Sequence, residues 1–298
     1  MLNKKHKLLE IKTSAIVDSL FVGNYKTNHK GRGIEFATFK EYDISDNVKN
    51  IDFVRSEKEG KILVKLYEEE KELSVYFVID LNNTFFDSGF GFNKIDIVYE
   101  LLYLVGLSAL KNGDKVGMYI NNSDNYNINL AKKGKNNFVN IINILDKYSQ
   151  KKLEKINFLG FFKQKLSNNN HNINVEYNFG LKYFNSLSIK NSLVFYLTDS
   201  LEIDKKQLKV LGVKNDLVLC NIFNSIENDL HGIGIGGFKD KNNSIILDFD
   251  NKSKINEYIE LRISKINELR KFILKNGGKY LLLDENKNIY KEFYNLFK

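Results

Sequence analysis

Three residues near the first quarter of the chain have side chains and spacing suited to chemistry: Asp80, Asn82 and Thr84, closing the stretch SVYFVIDLNNT over 74–84. At i, i+2 and i+4, an extended chain turns all three toward one side. A carboxylate, an amide carbonyl and a hydroxyl are hard oxygen donors of the kind Mg²⁺ or Mn²⁺ takes. A further carboxylate, Asp199, follows Thr198 at the end of a second apolar run, Ser192–Leu197. Two chemistries fit this set. One is a divalent-ion adhesion site built on Asp80, Asn82, Thr84 and Asp199. The other is a Mg²⁺-dependent hydrolase or nuclease using Asp80, Asp87 and Asp199.

Other catalytic patterns are missing. The histidines at 6, 29, 171 and 231 are scattered, and no HExxH, Cys–His, GxSxG or GxxxxGK[ST] pattern occurs. HGIGIGGF (231–238) contains Gly232, Gly234 and Gly237 in GxGxxG spacing. A dinucleotide loop must follow a strand and open a helix. Here FKDKNNSIILDFD runs on as a turn and a strand, so a flexible surface loop is expected. Nothing pairs a nucleophile with a base, and no enzymatic activity is expected.

The elements that must position these residues alternate in period. Ser74–Asp80 is an unbroken β-branched and aromatic run, the mark of a strand buried on both faces. KILVKLYEEE before it is amphipathic and is expected as an edge strand beside it. Helices are expected over Asp96–Leu110, Phe138–Tyr148, Leu153–Leu166, Gly180–Ile189, Leu201–Leu211, Ile255–Ile273 and Ile289–Phe297. Strands are expected at Val116–Asn121, Leu193–Leu197, Leu217–Phe223, Ser244–Phe249 and Tyr280–Leu283. A helical stripe at Leu8–Phe21 precedes an irregular segment over 24–60, and the asparagine-rich patches at 121–129 and 168–174 read as loops. In the longest helix the apolar stripe is read at 255, 259, 263, 266, 269 and 273. Such alternation predicts a mostly parallel sheet with helices on both faces. In such sheets ligands bind beyond the strands' carboxyl ends, where Asp80 and Asp199 fall.

With 298 residues the chain is long enough for one large α/β domain. We divide it into an N-terminal segment, 1–60, packed on a main domain, 61–298. Net charge is +8 with pI near 9.1, but the lysines are interspersed with acidic clusters and arginines are few. Arginine is the residue phosphate recognition prefers, so a nucleic-acid partner is not expected. Proline is absent, which excludes proline-rich recognition motifs. The one cysteine, Cys220, lies in an apolar run and is expected as a small buried hydrophobe. No apolar stretch is long enough to span a bilayer, and the basic N-terminus lacks the apolar core of a signal peptide. A cytoplasmic protein is expected.

The order of elements, with Asp80 closing the first buried strand, resembles the von Willebrand factor type A fold. The segment before it, KGRGIEFATFKEYDISDNVKNIDFVRSEKEGKILVKLYEEE, is similar to the signature of the Domain of Unknown Function 58 family. Gly31, Gly33, Glu35, Phe36, Tyr42, Asp46, Ile51, Asp52 and Glu69 stand where that signature asks. Lys40 and Lys49 replace arginines, Ser45 a glycine and Phe53 a tryptophan. We read the signature as structural, with Phe36, Tyr42, Ile51 and Phe53 packing the segment and Asp46, Asp52 and Arg55 tying down its backbone.

The type A resemblance implies an adhesion site for a divalent ion. Asp80 and Asp199 match its two acids, and Asn82 and Thr84 replace its serines. Its threonine from a second loop is missing, since YNFGL over 177–181 offers only Asn178. A degenerate site binding Mg²⁺ or Mn²⁺ weakly is therefore expected. The resemblance further implies a non-enzymatic interaction module that partners a MoxR-type AAA+ ATPase, as in Bat-type gene clusters. The contact face would then include Asn178 and the exposed-looking Phe85, Phe86, Phe90 and Phe92.

Overall fold

The computed structural model describes residues 6, 9, 13, 35–68, 73–81, 83–86, 93–121, 126–161, 179–228, 235–239, 244–248 and 252–297. The expected helix at Leu8–Phe21, apart from residues 9 and 13, lies outside them, as does the patch at 168–174. The chain divides into two compact units, Met1–Val22 with Leu73–Lys298, and Gly23–Glu72.

In the smaller unit, β1 (Glu35–Glu41) pairs antiparallel with β2 (Leu63–Glu68), and α1 (Phe53–Glu59) lies between them in sequence. Asp52 caps α1, its Oδ1 accepting from the Arg55 amide at 3.1 Å. Gly60, at φ 66°, ends the helix in the left-handed conformation that glycine adopts without strain. The segment expected to be irregular thus carries a strand and a helix. β2 is not an edge strand of the main sheet. Both edges of β3 are taken by parallel neighbours, so β2 finds its partner in β1.

The larger unit begins with β3 (Ser74–Asp80), a 3₁₀ turn at Asn83–Phe85, α2 (Lys94–Lys111), β4 (Lys115–Asn121) and β5 (Tyr126–Lys132). There follow α3 (Lys135–Phe161), α4 (Phe179–Ser186), β6 (Ser192–Thr198), α5 (Lys205–Lys214) and β7 (Asp216–Ile222). The hairpin β8 (Ile235–Lys239) with β9 (Ser244–Asp248) leads to α6 (Lys252–Lys275), β10 (Lys279–Leu283) and α7 (Ile289–Phe297). Six strands form the central sheet in the order β10-β7-β6-β3-β4-β5, all parallel except β5. Ranked by their place in the chain, that order is 6-5-4-1-2-3. The winding therefore reverses between β3 and β6, and this is the sheet's switch point.

Burial follows the apolar runs. β6 is buried along its whole length, and β3 and β7 everywhere but their first residues. One face of the sheet presents Tyr76, Val78, Tyr119, Val194, Tyr196, Leu217 and Leu219 to a core shared with α4, α5 and α6. On the other, Phe195 stacks on Phe293 of α7 at 6.0 Å, and α2 packs on β3, β4 and α7.

Three local expectations need correction. β5 occupies part of the asparagine-rich stretch expected as a loop. Asparagine disfavours strands, but an edge strand is decided by its pairing, here with β4. Two helices expected around residue 150 are one continuous helix, α3. The last four residues of HGIGIGGF, 235–238, are in β8, whose Gly236 and Gly237 pair with Leu247 and Ile246, and are not a flexible loop, while 231–234 lie outside the described residues. With an antiparallel strand after it and no helix, the phosphate cradle of a dinucleotide site is not built there.

Candidate functional site

β3 and β6 run side by side and end together, which brings Asp80 and Thr198-Asp199 to the same edge at the switch point. The Tyr196 hydroxyl registers both acids: burial pushes its pKa well up, and the charges of Asp80 and Asp199 add to that. Asp80 is buried (5% exposed) and its Oδ1 accepts a 3.0 Å hydrogen bond from Asn121 Nδ2, at the end of β4. Asn121 in turn abuts α4, where only a glycine fits. A Cβ on Gly180 would lie 2.2 Å from Asn121 Cγ.

Thr84 does not continue an extended chain from Asp80, because the chain turns into a 3₁₀ helix at Asn83–Phe85. That turn delivers the Thr84 hydroxyl to Asp199, where it donates to Oδ2. The same oxygen lies 3.5 Å from Lys94 Nζ, at the start of α2. Lys94 also meets Glu227 Oε1 at 2.9 Å, and Arg262 Nη1 meets Glu227 Oε2 at 2.5 Å. The Asn224 amide donates to Glu227 at 3.0 Å, and the Arg262 guanidinium lies 5.1 Å from the centre of the Phe223 ring. Lys94 and Arg262 are buried, with side chains 11% and 7% exposed. Burial pulls the Lys94 pKa down, but Asp199 and Glu227 outweigh it and hold the ammonium above its ordinary value. Burial likewise pushes Glu227 up, and Lys94 and Arg262 overcome that to hold it low.

None of Lys94, Asn121, Glu227 and Arg262 was singled out from the sequence, though two left a trace. A lysine in the first turn of an apolar helix opposes the helix dipole, so it implies nearby anions. Arg262 falls on the buried stripe of α6, which runs Ile255, Arg262, Ile266, Leu269, Ile273. The stripe read from sequence instead used 259 and 263, and Ile263 is 48% exposed.

Of the remaining expected residues, Phe85 and Phe86 are buried (0% and 3% exposed), so they are core residues and not exposed anchors. The turn that carries Thr84 outward folds these two rings inward. Asn82, Asp87, Phe90, Phe92 and Asn178 lie outside the described residues. In the smaller unit, Gly31, Gly33 and Glu69 also lie outside them, and Glu35 and Phe36 pair with Glu68 and Tyr67. The Tyr42 amide donates to the Ile62 carbonyl at 2.8 Å, and Ile51 bridges to Val64. Asp46 accepts from the Asp43 amide at 2.9 Å and pairs with Lys40 at 2.6 Å, while Asp52 pairs with Lys65 at 3.0 Å. These acids hold backbone turns in place. Phe53, expected to pack the segment, is 72% exposed.

The described donors do not by themselves complete a shell for a divalent ion, and Asn82 lies outside them. Among the described residues no cluster of three or more acidic, histidine or cysteine ligands could hold one. At Asp199 the ammonium of Lys94 is already present. A second cation on Asp199 would share its carboxylate with that ammonium and be repelled by it.

The sheet order, its single antiparallel edge and the helices on both faces are consistent with a Rossmann-like, von Willebrand factor type A-like α/β protein. The chain belongs to the family described as protein of unknown function DUF58, whose profile matches residues 38–265. No curated protein matches it. Similar solved structures include the conserved hypothetical protein BatB from Bacteroides thetaiotaomicron, at 12% identity and TM-score 0.35, covering 75% of this chain and 96% of that one. Another is an aerotolerance-related membrane protein from Bacteroides fragilis, at 14% identity and TM-score 0.34, covering 76% and 98%. Among the described residues no helix is long and apolar enough to cross a membrane.

Proposed function

We propose that this protein is a non-enzymatic interaction module, an adaptor that works with a MoxR-type AAA+ ATPase in assembling or remodelling other proteins. The supporting observation is how the switch-point edge uses its charges. Proton-transfer catalysis needs groups whose pKa lies near the working pH. Here Glu227 is held low and Lys94 high, each by the other and by its neighbours. Asp199 is engaged by Thr84 and Lys94, and Asp80 by Asn121. Charges matched in this way stiffen an edge and suit it to carrying the loops above it. The AAA+ partner is taken from the family resemblance.

Tagged protein purified from its own host, with Mg²⁺ and with EDTA, tests this by mass spectrometry of what co-elutes. The expected result is a MoxR-type AAA+ ATPase, confirmed by binding of the two purified proteins. Failure of the purified pair to bind would overturn the adaptor reading. Metal-dependent hydrolysis of a phosphodiester or ester, lost in Asp80→Ala, would replace it with the hydrolase.

A further inference from the structure

We propose that the Lys94 ammonium is the built-in cation of the switch-point edge, standing where a divalent ion would sit on Asp199. The edge is thereby made independent of metal.

Three observations carry this. First, Lys94 reaches two carboxylates from different parts of the chain, Asp199 Oδ2 at 3.5 Å and Glu227 Oε1 at 2.9 Å. A bound cation would be expected to draw in such anions. Second, the carboxylates of Asp199 and Glu227 already face the cations Lys94 and Arg262. Even with Asp80 at the same edge, a divalent ion would leave one uncompensated positive charge in a largely buried place. Third, the lysine is held there at a cost. It is 9% exposed and sits in the first turn of α2, where the helix dipole repels it. Thr84 completes the arrangement by donating its proton to the Asp199 oxygen nearest the ammonium.

The proposal deepens the interaction-module reading and rests on it for the purpose of the edge. Its test uses Mn²⁺ alone and no partner, so either can fail without the other. The full-length chain is titrated with Mn²⁺ and free ion is read by electron paramagnetic resonance. Wild type is expected to hold no ion at this edge up to about 5 mM, whereas Lys94→Met should bind one Mn²⁺ at least about tenfold more tightly. Adding Asp199→Asn should abolish that gain. A wild-type site filled below about 1 mM and lost in Asp199→Asn would overturn the proposal. So would a folded Lys94→Met that binds no better than wild type.

Should Lys94→Met fail to fold, melting of the charge-matched double variant decides. Lys94→Met with Asp199→Asn should fold and melt cooperatively, since the two charges leave together. Failure of the double variant to fold as well would overturn the proposal.

Discussion

Gly180→Ala should destabilise the protein, although alanine is normally the better helix residue, and Asn121 should be the reason. The added methyl would meet Asn121 Cγ at 2.2 Å, Nδ2 at 2.3 Å and Cβ at 2.7 Å. A strand-borne Cβ cannot swing aside, so either α4 retreats or the amide leaves Asp80, to which it donates at 3.0 Å. Overpacking of this kind costs about 1–3 kcal/mol. Losing a hydrogen bond to a carboxylate costs about 1.5–3 kcal/mol. Alanine's helix preference returns at most about 1 kcal/mol, and less in a first turn. The net is a loss of about 1–2.5 kcal/mol, or a fall in Tm of roughly 2–4 °C at this chain length. Urea denaturation of Gly180→Ala in three backgrounds tests the cause. The cost should be largest with Asn121, smaller with Asn121→Ala, where only the 2.7 Å Cβ contact remains, and near zero with Asn121→Gly. A cost that is the same in all three backgrounds, or absent in wild type, would refute this account.

Two further outcomes follow from the buried groups. The folded pKa of Glu227 lies below its ordinary value of 4.5, so its contribution is fully present above pH 4.5 and lost as pH falls through the lower folded value. Glu227→Gln should cost about 3 kcal/mol at neutral pH and flatten the acid limb of the stability curve, read by urea midpoints between pH 3 and 7. An unchanged acid limb would show that the ion pairs add nothing. Cys220 is fully buried, and that burial pushes its thiol far above the ordinary range. It should resist an aromatic disulfide reagent in native buffer and react only as urea unfolds the chain, and stoichiometric labelling without urea would contradict its place in β7.

What the sequence could reveal was set by how far apart the cooperating residues lie. The apolar runs at Ser74–Asp80, Ser192–Thr198 and Asp216–Ile222 need no partner to be read as buried strands. Their alternation with amphipathic helices is enough to imply a parallel sheet. The same logic placed Asp80 and Asp199 at carboxyl strand ends before any contact was known. The Asp52 cap and its helix are also neighbours in the chain, yet that helix reads in the sequence as part of an irregular segment. The sequence was silent on what faces those acids. Lys94 and Asp199 are 105 residues apart, Arg262 and Glu227 are 35 apart, and neither separation leaves a periodicity to detect. Strand order brought them together. The direction taken by Thr84, Phe85 and Phe86 depended on a turn whose geometry overrode the i, i+2 spacing that an extended chain would have kept. Sequence alone thus determined the layers and the edge where acids gather. Only the tertiary structure decided that the edge carries its own cation, because matching a buried charge is a contact between distant segments and not a property of either one.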